Sequence, residues 1–221
     1  HDFPQAHLLT NQENKGFAAA TNQGLRQSQG RYLLLLNPDT QVLDEALATL
    51  VAFMEAHPAA GAAGARLLHA DGSFQHSAFR FPTLSQIFLD FFPLHHRLLD
   101  SPLNGRYPRR LYAAGDPFPI DHPLGAAMMV RRETMAQVGM LDERFFMYCE
   151  EIDWAMRIRR AGWEIHCVPQ ARIIHHVGRS TQQFRDQMFV ALWRSRYLLF
   201  AKHYGPTFRR LARVLVYLGL R

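Results

Sequence analysis

Residues 33–42 read LLLLNPDTQV, four leucines running without a break into Asn37, Pro38 and Asp39. An apolar run stopped by a proline has the pattern of a strand buried in a sheet, and Pro38 marks its end. Asp39 then stands just past the strand terminus. Loops beyond the carboxyl ends of strands form the ligand crevice of α/β folds, so a carboxylate at the end of a central strand there has two readings. It either satisfies a local turn or is a ligand to a bound group. If it holds a divalent cation, a diphosphate can bridge to that ion, because hard metals match carboxylate and phosphate oxygens.

Upstream, FAAATNQGLRQSQG (17–30) is an alanine-rich segment between Gly16 and Gly30 and reads as a helix, preceded by a short strand near Leu8–Thr10. Downstream, VLDEALATLVAFMEAH (42–57) has apolar residues at helical spacing, Asp44 and Glu45 near its start and Pro58 just beyond its end. Strand, helix, strand and helix in succession predict an α/β sheet with helices on its faces. Residues 60–82 then read as two strands about an Asp71-Gly72 turn, an antiparallel insertion. Residues 84–120 are aromatic, proline-rich and poorly periodic. They predict a long, partly mobile excursion, the usual place for an acceptor-binding or lid element. PLGAAMMVRRETMAQVG (123–139) restores order as a strand and a short helix. A loop (140–149), the helix EEIDWAMRIRRAG, the strand WEIHCVP and a terminal helix from about Thr181 to His203 follow.

The composition, 48% hydrophobic and 20% charged, is that of an ordinary globular domain. Cys149 and Cys167 make no disulfide framework, the opening has no signal-segment pattern, and no apolar run is long enough to span a bilayer. The expectation is a cytoplasmic location. The net charge of +6 is concentrated at one end: from Trp193 onward there are seven basic residues and no acidic one. Residues 206–221 thus read as a basic amphipathic helix. It either packs on the domain with its arginines in water or meets an anionic membrane face or a partner. Nucleic acid is not an expected partner, because aromatic and basic residues do not interleave along any candidate strand surface.

A second cluster is LDERFFMYCEEIDW (141–154). Glu150, Glu151 and Asp153 crowd a helix start beside Phe145, Phe146, Met147, Tyr148 and Trp154. Acidic residues suit the helix macrodipole there, yet like charges in apolar surroundings also raise the pKa of one member, as a general base requires. Glu151 and Asp153, two apart, cannot share a helix face. A third is ARIIHHVGRS (171–180), where His175 and His176 end an apolar strand and at most one joins a ligand set easily.

In their order and spacing, NKGFAAATNQG, LLLLNPDT, GAAMMVRRE, LDERFFMYCEEIDWAMRIRRAGW and IIHHVGRS resemble the family 2 inverting glycosyltransferases. Within that family they look most like the bacterial rhamnosyltransferase-like members that act on cell-wall and surface polysaccharides. The resemblance implies the GT-A fold, a Rossmann-like mixed sheet flanked by helices, over residues 1–205, with 206–221 as an appended helix. It implies transfer of a sugar, rhamnose from dTDP-rhamnose being the suggested case, from a nucleotide-diphosphate donor to a saccharide or lipid-linked acceptor with Mg or Mn. That role would put the chain at the inner face of the plasma membrane; a homo-oligomer is left open. Asn37, Pro38 and Asp39 fall on the family's metal-binding triplet, with Asp39 the ligand and His175 completing the site, His176 being the runner-up. Asn14, Gly16, Phe17 and Asn22 match the border of the nucleotide pocket. Gly125 and Ala126 match the strand beneath the donor and acceptor sugars. Glu150 and Glu151 match an acidic pair whose second member is the base, with Asp153 and Glu150 as alternatives. Two departures stand out: Glu where the second member is usually Asp, and a chain that starts after the family's first strand and its Asp- and Ser-rich nucleotide loop. A non-catalytic nucleotide-sugar-binding module and a sugar-phosphate nucleotidyltransferase are the competing classes.

Overall fold

The computed structural model describes residues 3–176 and 185–221. Its first half follows the predicted alternation: α1 (Phe17–Gln27), β1 (Tyr32–Leu36), β2 (Thr40–Val42), α2 (Ala46–Ala56) and β3 (Ala60–Leu68). The insertion supplies β4 (Phe74–Gln75), which folds back on β3, and β5 (Ala78–Phe79). Then come α3 (Leu84–Phe91), α4 (His96–Leu99), α5 (Arg109–Ala114), β6 (Phe118–Pro119) and β7 (His122–Pro123). The chain ends with β8 (Ala127–Arg131), α6 (Arg132–Val138), α7 (Glu150–Arg160), β9 (Glu164–His175), α8 (Arg185–His203) and α9 (Pro206–Gly219).

The main sheet runs β1-β8-β3-β9-β2, with β4 and β6 attached to β3 and β9. Among the described residues only β3 and β9 pair in parallel, so the sheet is mixed. Alternate residues of β3 divide the core: Ala62 faces Leu33, Leu35, Trp154 and Ile158 on one side, while Ala63 and Ala65 face Leu50, Phe53, Met54 and Ile173 on the other. This period of two is what a strand buried on both faces requires. Helices α1 and α7 cover the first face and α2 the second. The α/β class, with a central sheet between helices, is as predicted.

Several particulars differ. Residues 8–10 form no strand: Leu8 is 86% exposed, and no neighbouring strand takes up their backbone hydrogen bonds. Strand β1 is terminal in the sheet order rather than central, and among the described residues it pairs only with β8. A groove of about 240 Å³ is lined by Leu33–Leu36 of β1 and by Phe17, Thr21 and Leu25 of α1. Residues 84–120 carry three short helices, α3, α4 and α5. A capping box between Thr83 and Gln86 starts α3, whose Ile87 packs with Trp193 and Phe200 of α8 and Ala212 and Val216 of α9. The two strands expected around 163–175 are one, because the register with β3 shifts between Ala65 and Arg66 and this irregularity accommodates Pro169. Residues 181–184 of the expected terminal helix lie outside the described residues.

Candidate active site

The turn after β1 is held from two sides. Asn37 N–H donates to Ala126 O (2.9 Å), and Thr40 Oγ1 donates to Asn37 O (2.6 Å). Strand β2 then pairs with the end of β9, Thr40 opposite His175, and this register brings Asp39 and His175 together. His175 Nε2 lies 3.4 Å from Asp39 Oδ1, both side chains largely buried. His176 contributes its backbone N–H, which donates to Asp39 O (2.8 Å). On the far side of the ring, Gln75 Nε2 lies 3.2 Å from His175 Nδ1. Burial lowers the pKa of His175, against the opposing pull of Asp39, so the ring is neutral, as a metal ligand must be.

These residues fit a divalent cation in a particular way. Among the described residues no group of three or more His, Cys, Asp or Glu side chains converges, so the protein offers one carboxylate and one imidazole. Magnesium and similar ions are commonly held by one or two carboxylates, with substrate phosphates and water in the other positions. Among the described residues, two buried oxygens near the pair, Asn37 Oδ1 and Gln75 Oε1, have no hydrogen-bond partner. Turning the Gln75 amide over would let Oε1 accept from Nδ1–H and aim the Nε2 lone pair toward Asp39, the arrangement that an outer partner imposes on a ligating histidine.

The acidic cluster lies on the other side of the same segment. A Cβ built on Gly125 would stand 3.4 Å from Glu151 Cγ, so Glu151 rests directly on the glycine that precedes Ala126. Tyr148 (φ 69°) and Cys149 (φ 68°) are consecutive non-glycine residues in the left-handed region, a costly conformation that turns the chain sharply into α7. Glu150 and Glu151 open that helix. Glu150 is 6% exposed and its Oε2 has no partner among the described residues; burial, then the charge of Glu151, raises its pKa. Burial also raises that of Glu151, which is half-buried. Glu151 opens onto a cleft of about 290 Å³ that is also lined by Arg80, Gln86, Asp90, Arg106 and Arg196.

Asp153 has a different environment. It is fully buried, and its oxygens accept from Arg157 Nε (2.9 Å), Lys202 Nζ (2.6 Å) and His203 Nε2 (2.6 Å). Burial alone would raise its pKa, but these donors outweigh that and hold it below the usual carboxylate value. A carboxylate so occupied ties α7 to α8 and has no oxygen open to a substrate hydroxyl. Asn22 is similarly committed: buried, it donates to Leu141 O and Glu143 Oε1 and accepts from Leu141 N–H, which fastens the 141–143 loop to α1. Asn14 Oδ1 accepts from Gly16 N–H (3.0 Å), and Phe17 N–H donates to Phe146 O (2.7 Å). Gly16 needs its positive φ of 82° there, and a Cβ would fall 2.4 Å from Phe146 O. Nothing in the local sequence singled out Gln75, Arg80 or Arg106, because only the fold of the insertion and of residues 84–120 brings them to the site.

Residues 1–139 match the family described as "Glycosyl transferase family 2". The chain belongs to this family. Among curated relatives of this glycosyltransferase is an N-acetylglucosaminyl-diphospho-decaprenol L-rhamnosyltransferase of Mycobacterium tuberculosis, 28% identical over 94% of this chain and 70% of the relative. Rhamnosyltransferase WbbL of Escherichia coli is 28% identical over 90% of this chain and 69% of its own length. Two solved structures share the fold. The mannosyltransferase PcManGT from Pyrobaculum calidifontis, in complex with GDP-Man and Mn2+, aligns with a TM-score of 0.55 at 15% identity over 96% of this chain. GalNAc-T7 with UDP, GalNAc and Mn2+ aligns with a TM-score of 0.54 at 17% identity over 75% of this chain. The glycosyltransferase chain spans 52% and 31% of those two structures. The GT-A-like fold is thereby shown, with a distant relationship to rhamnosyltransferases.

Proposed function

We propose that this chain carries the catalytic site of a metal-dependent, inverting rhamnosyltransferase that uses dTDP-rhamnose and a lipid-linked saccharide acceptor. The observation that carries the reading is the segment Gly125-Ala126, with the Asp39 turn hydrogen-bonded to Ala126 on one side and Glu151 resting on Gly125 on the other. The Asp39-His175 pair and a carboxyl of raised pKa thus flank one short stretch of backbone. Asp39 and His175 would hold Mg or Mn, which when bound offsets charge on the nucleotide diphosphate. Glu151 in its carboxylate form takes the proton of the acceptor hydroxyl. The hydroxyl oxygen attacks the anomeric carbon from the face opposite the diphosphate, the new C–O bond forms, and the bond to the diphosphate breaks with its electron pair leaving on oxygen. Gly125, without a side chain, lets the base lie directly against the backbone.

Replacing Asp39 by Ala is the direct test. Mn-dependent dTDP binding, measured by calorimetry, should weaken about tenfold or more and turnover should fall with it, because one interaction serves ground state and transition state alike. His175→Ala should do less, since a neutral imidazole offsets none of the ion's charge. Unchanged Mn-dependent binding in Asp39→Ala would sink the assignment.

A lipid-linked acceptor also gives α9 a partner. Among the described residues no helix is long and apolar enough to cross a membrane. Yet α9 exposes Leu211, Val214, Tyr217 and Leu218 (46–55%) beside Arg210 and Arg213, with no acidic residue in the helix. Apolar burial combined with arginine attraction suits an anionic bilayer surface. Its inner side packs on α3 and α8, the two helices that contribute Asp90 and Arg196 to the cleft, so docking would bring the cleft near the lipid. The chain should float with vesicles containing 30% anionic lipid, by the surface potential such lipids create, and roughly tenfold less with neutral ones. A Leu211→Ser, Leu218→Ser double variant should stay behind in both; equal flotation of the variant would refute the docking face.

A further inference from the structure

The cleft in front of Glu151 carries more positive charge than holding a neutral sugar requires. Of its three arginines, Arg196 is already committed, donating to Asp90 Oδ2 and lying 4.7 Å from the centre of the Trp193 ring. Arg80 and Arg106 are not. Among the described residues neither pairs with a carboxylate, and the buried Arg106 Nε has no hydrogen-bond partner. Asp100 is taken by His76 and Arg109, and Asp121 Oδ2 accepts from Phe81 N–H. Arg80 N–H donates to Gly105 O (2.8 Å), and Phe79 bridges Arg106 in antiparallel fashion, which sets the two arginines on adjacent segments. Each guanidinium is backed by a ring, Arg80 at 5.6 Å from Tyr107 and Arg106 at 5.9 Å from Phe79. Such backing restrains the planar fork whose paired N–H groups match phosphate oxygens. Glu151, whose pKa burial pushes up to about 7, offsets only part of this charge near neutral pH.

We propose that Arg80 and Arg106 form a second anion subsite, on the acceptor side of the cleft and separate from the Asp39 turn, which takes a phosphate or diphosphate carried by the acceptor. The placement of "acceptor side" rests on Glu151 being the base; the anion subsite itself does not. Its consequence is a selectivity that neither the metal pair nor the base supplies: an acceptor without the anion would bind poorly although its hydroxyl is the same.

Two measurements test this. Inorganic pyrophosphate titrated in EDTA, where a metal-dependent donor site is silent, should bind the wild-type chain, and an Arg80→Gln, Arg106→Gln double variant should bind about tenfold or more weakly. Asp39→Ala should bind it as the wild type does. The exposed Arg80→Gln alone, with an intermediate loss, guards against a double variant that fails to fold. No metal-free binding to the wild type, binding untouched by the arginine changes, or binding lost in Asp39→Ala would each overturn the proposal. In the second measurement, acceptors are compared as a sugar linked by diphosphate to a short isoprenoid, a sugar 1-phosphate and a neutral alkyl glycoside. The arginine variants should raise KM for the first two, leave kcat and the donor KM alone, and change nothing for the third. The stronger effect between the first two tells a lipid diphosphate from a sugar phosphate. An equal rise in KM for the neutral glycoside would also refute the subsite. Should no acceptor turn over at all, the transferase reading fails while the pyrophosphate titration still decides the subsite.

Discussion

In a Glu151→Gln variant, turnover is expected to fall about 100-fold or more, the usual range for removing a positioned base, while Mn-dependent nucleotide binding stays unchanged. The amide keeps the size of the side chain and its contact with Gly125 but cannot accept the acceptor proton. Folding should not suffer. Glu150 and Glu151 both have folded pKa values above those of the unfolded chain. Their cost to stability is therefore absent below the ordinary carboxylate range and grows as pH rises through the raised values. Removing one of the two carboxylates relieves that cost, so at alkaline pH the variant should melt no lower than the wild type. The wild-type pH profile carries the complementary sign. A base of raised pKa is protonated in mild acid, so the rate should still be climbing with pH well above the range where an ordinary glutamate would have levelled off. Glu150→Gln should leave more activity, because Glu150 is buried behind its neighbour and does not line the cleft. A Glu151→Gln protein that keeps most of its turnover, or a wild-type profile that levels off near pH 5, would remove Glu151 as the base.

How far this site was legible depended on the range over which its geometry is set. LLLLNPDT announced a buried strand and a turn because an apolar run and a proline act locally, and Leu33 and Leu35 do point inward. Its position at the end of the sheet order was not legible, since pairing with β8 is chosen by partners far away in sequence. Asp39 and His175 were matched through the family motifs, but their contact exists only through the β2–β9 register. Asn22 was placed at the pocket border only by the match to the family motif; that its amide is bonded to Leu141 and Glu143 depends on how a distant loop folds back. Arg106 lies in a stretch with no periodicity, where the backbone path is set by α3 packing on α9 rather than by a repeating pattern. Within the acidic cluster, composition announced a group with shifted pKa values but could not say which carboxylate pairs with which cation. That division is made by Lys202 and His203, which arrive from α8.

The same division makes Asp153 the most consequential residue for stability in this region. Replacing it by Ala removes the fully buried carboxylate that gathers Arg157, Lys202 and His203; because Lys202 keeps Asp142 and Arg157 keeps the carbonyls of Val138 and Met140, the cost falls at the lower end of the about 3–5 kcal/mol for a broken buried pair. For a chain of this size the melting temperature should drop on the order of 10 °C. Asp153→Asn keeps the shape and one acceptor oxygen, so it should lose less, yet it still turns an amide N–H toward cations. His203 reports on the same contact. Burial lowers its pKa despite Asp153, so it is neutral when folded and donates from Nε2, consistent with the buried Nδ1 that has no partner. Because the unfolded histidine binds a proton more readily, this group's contribution is present above its ordinary pKa and is lost as pH falls through that value toward the lower folded one. Thermal unfolding of the wild type and both variants should therefore show the Asp153 losses at neutral pH, with activity per folded molecule largely kept in Asp153→Asn. The opposite pattern would be decisive: an Asp153→Asn protein with wild-type melting and nucleotide binding but no turnover would make Asp153 the base and reduce its clasp by Arg157, Lys202 and His203 to a resting arrangement.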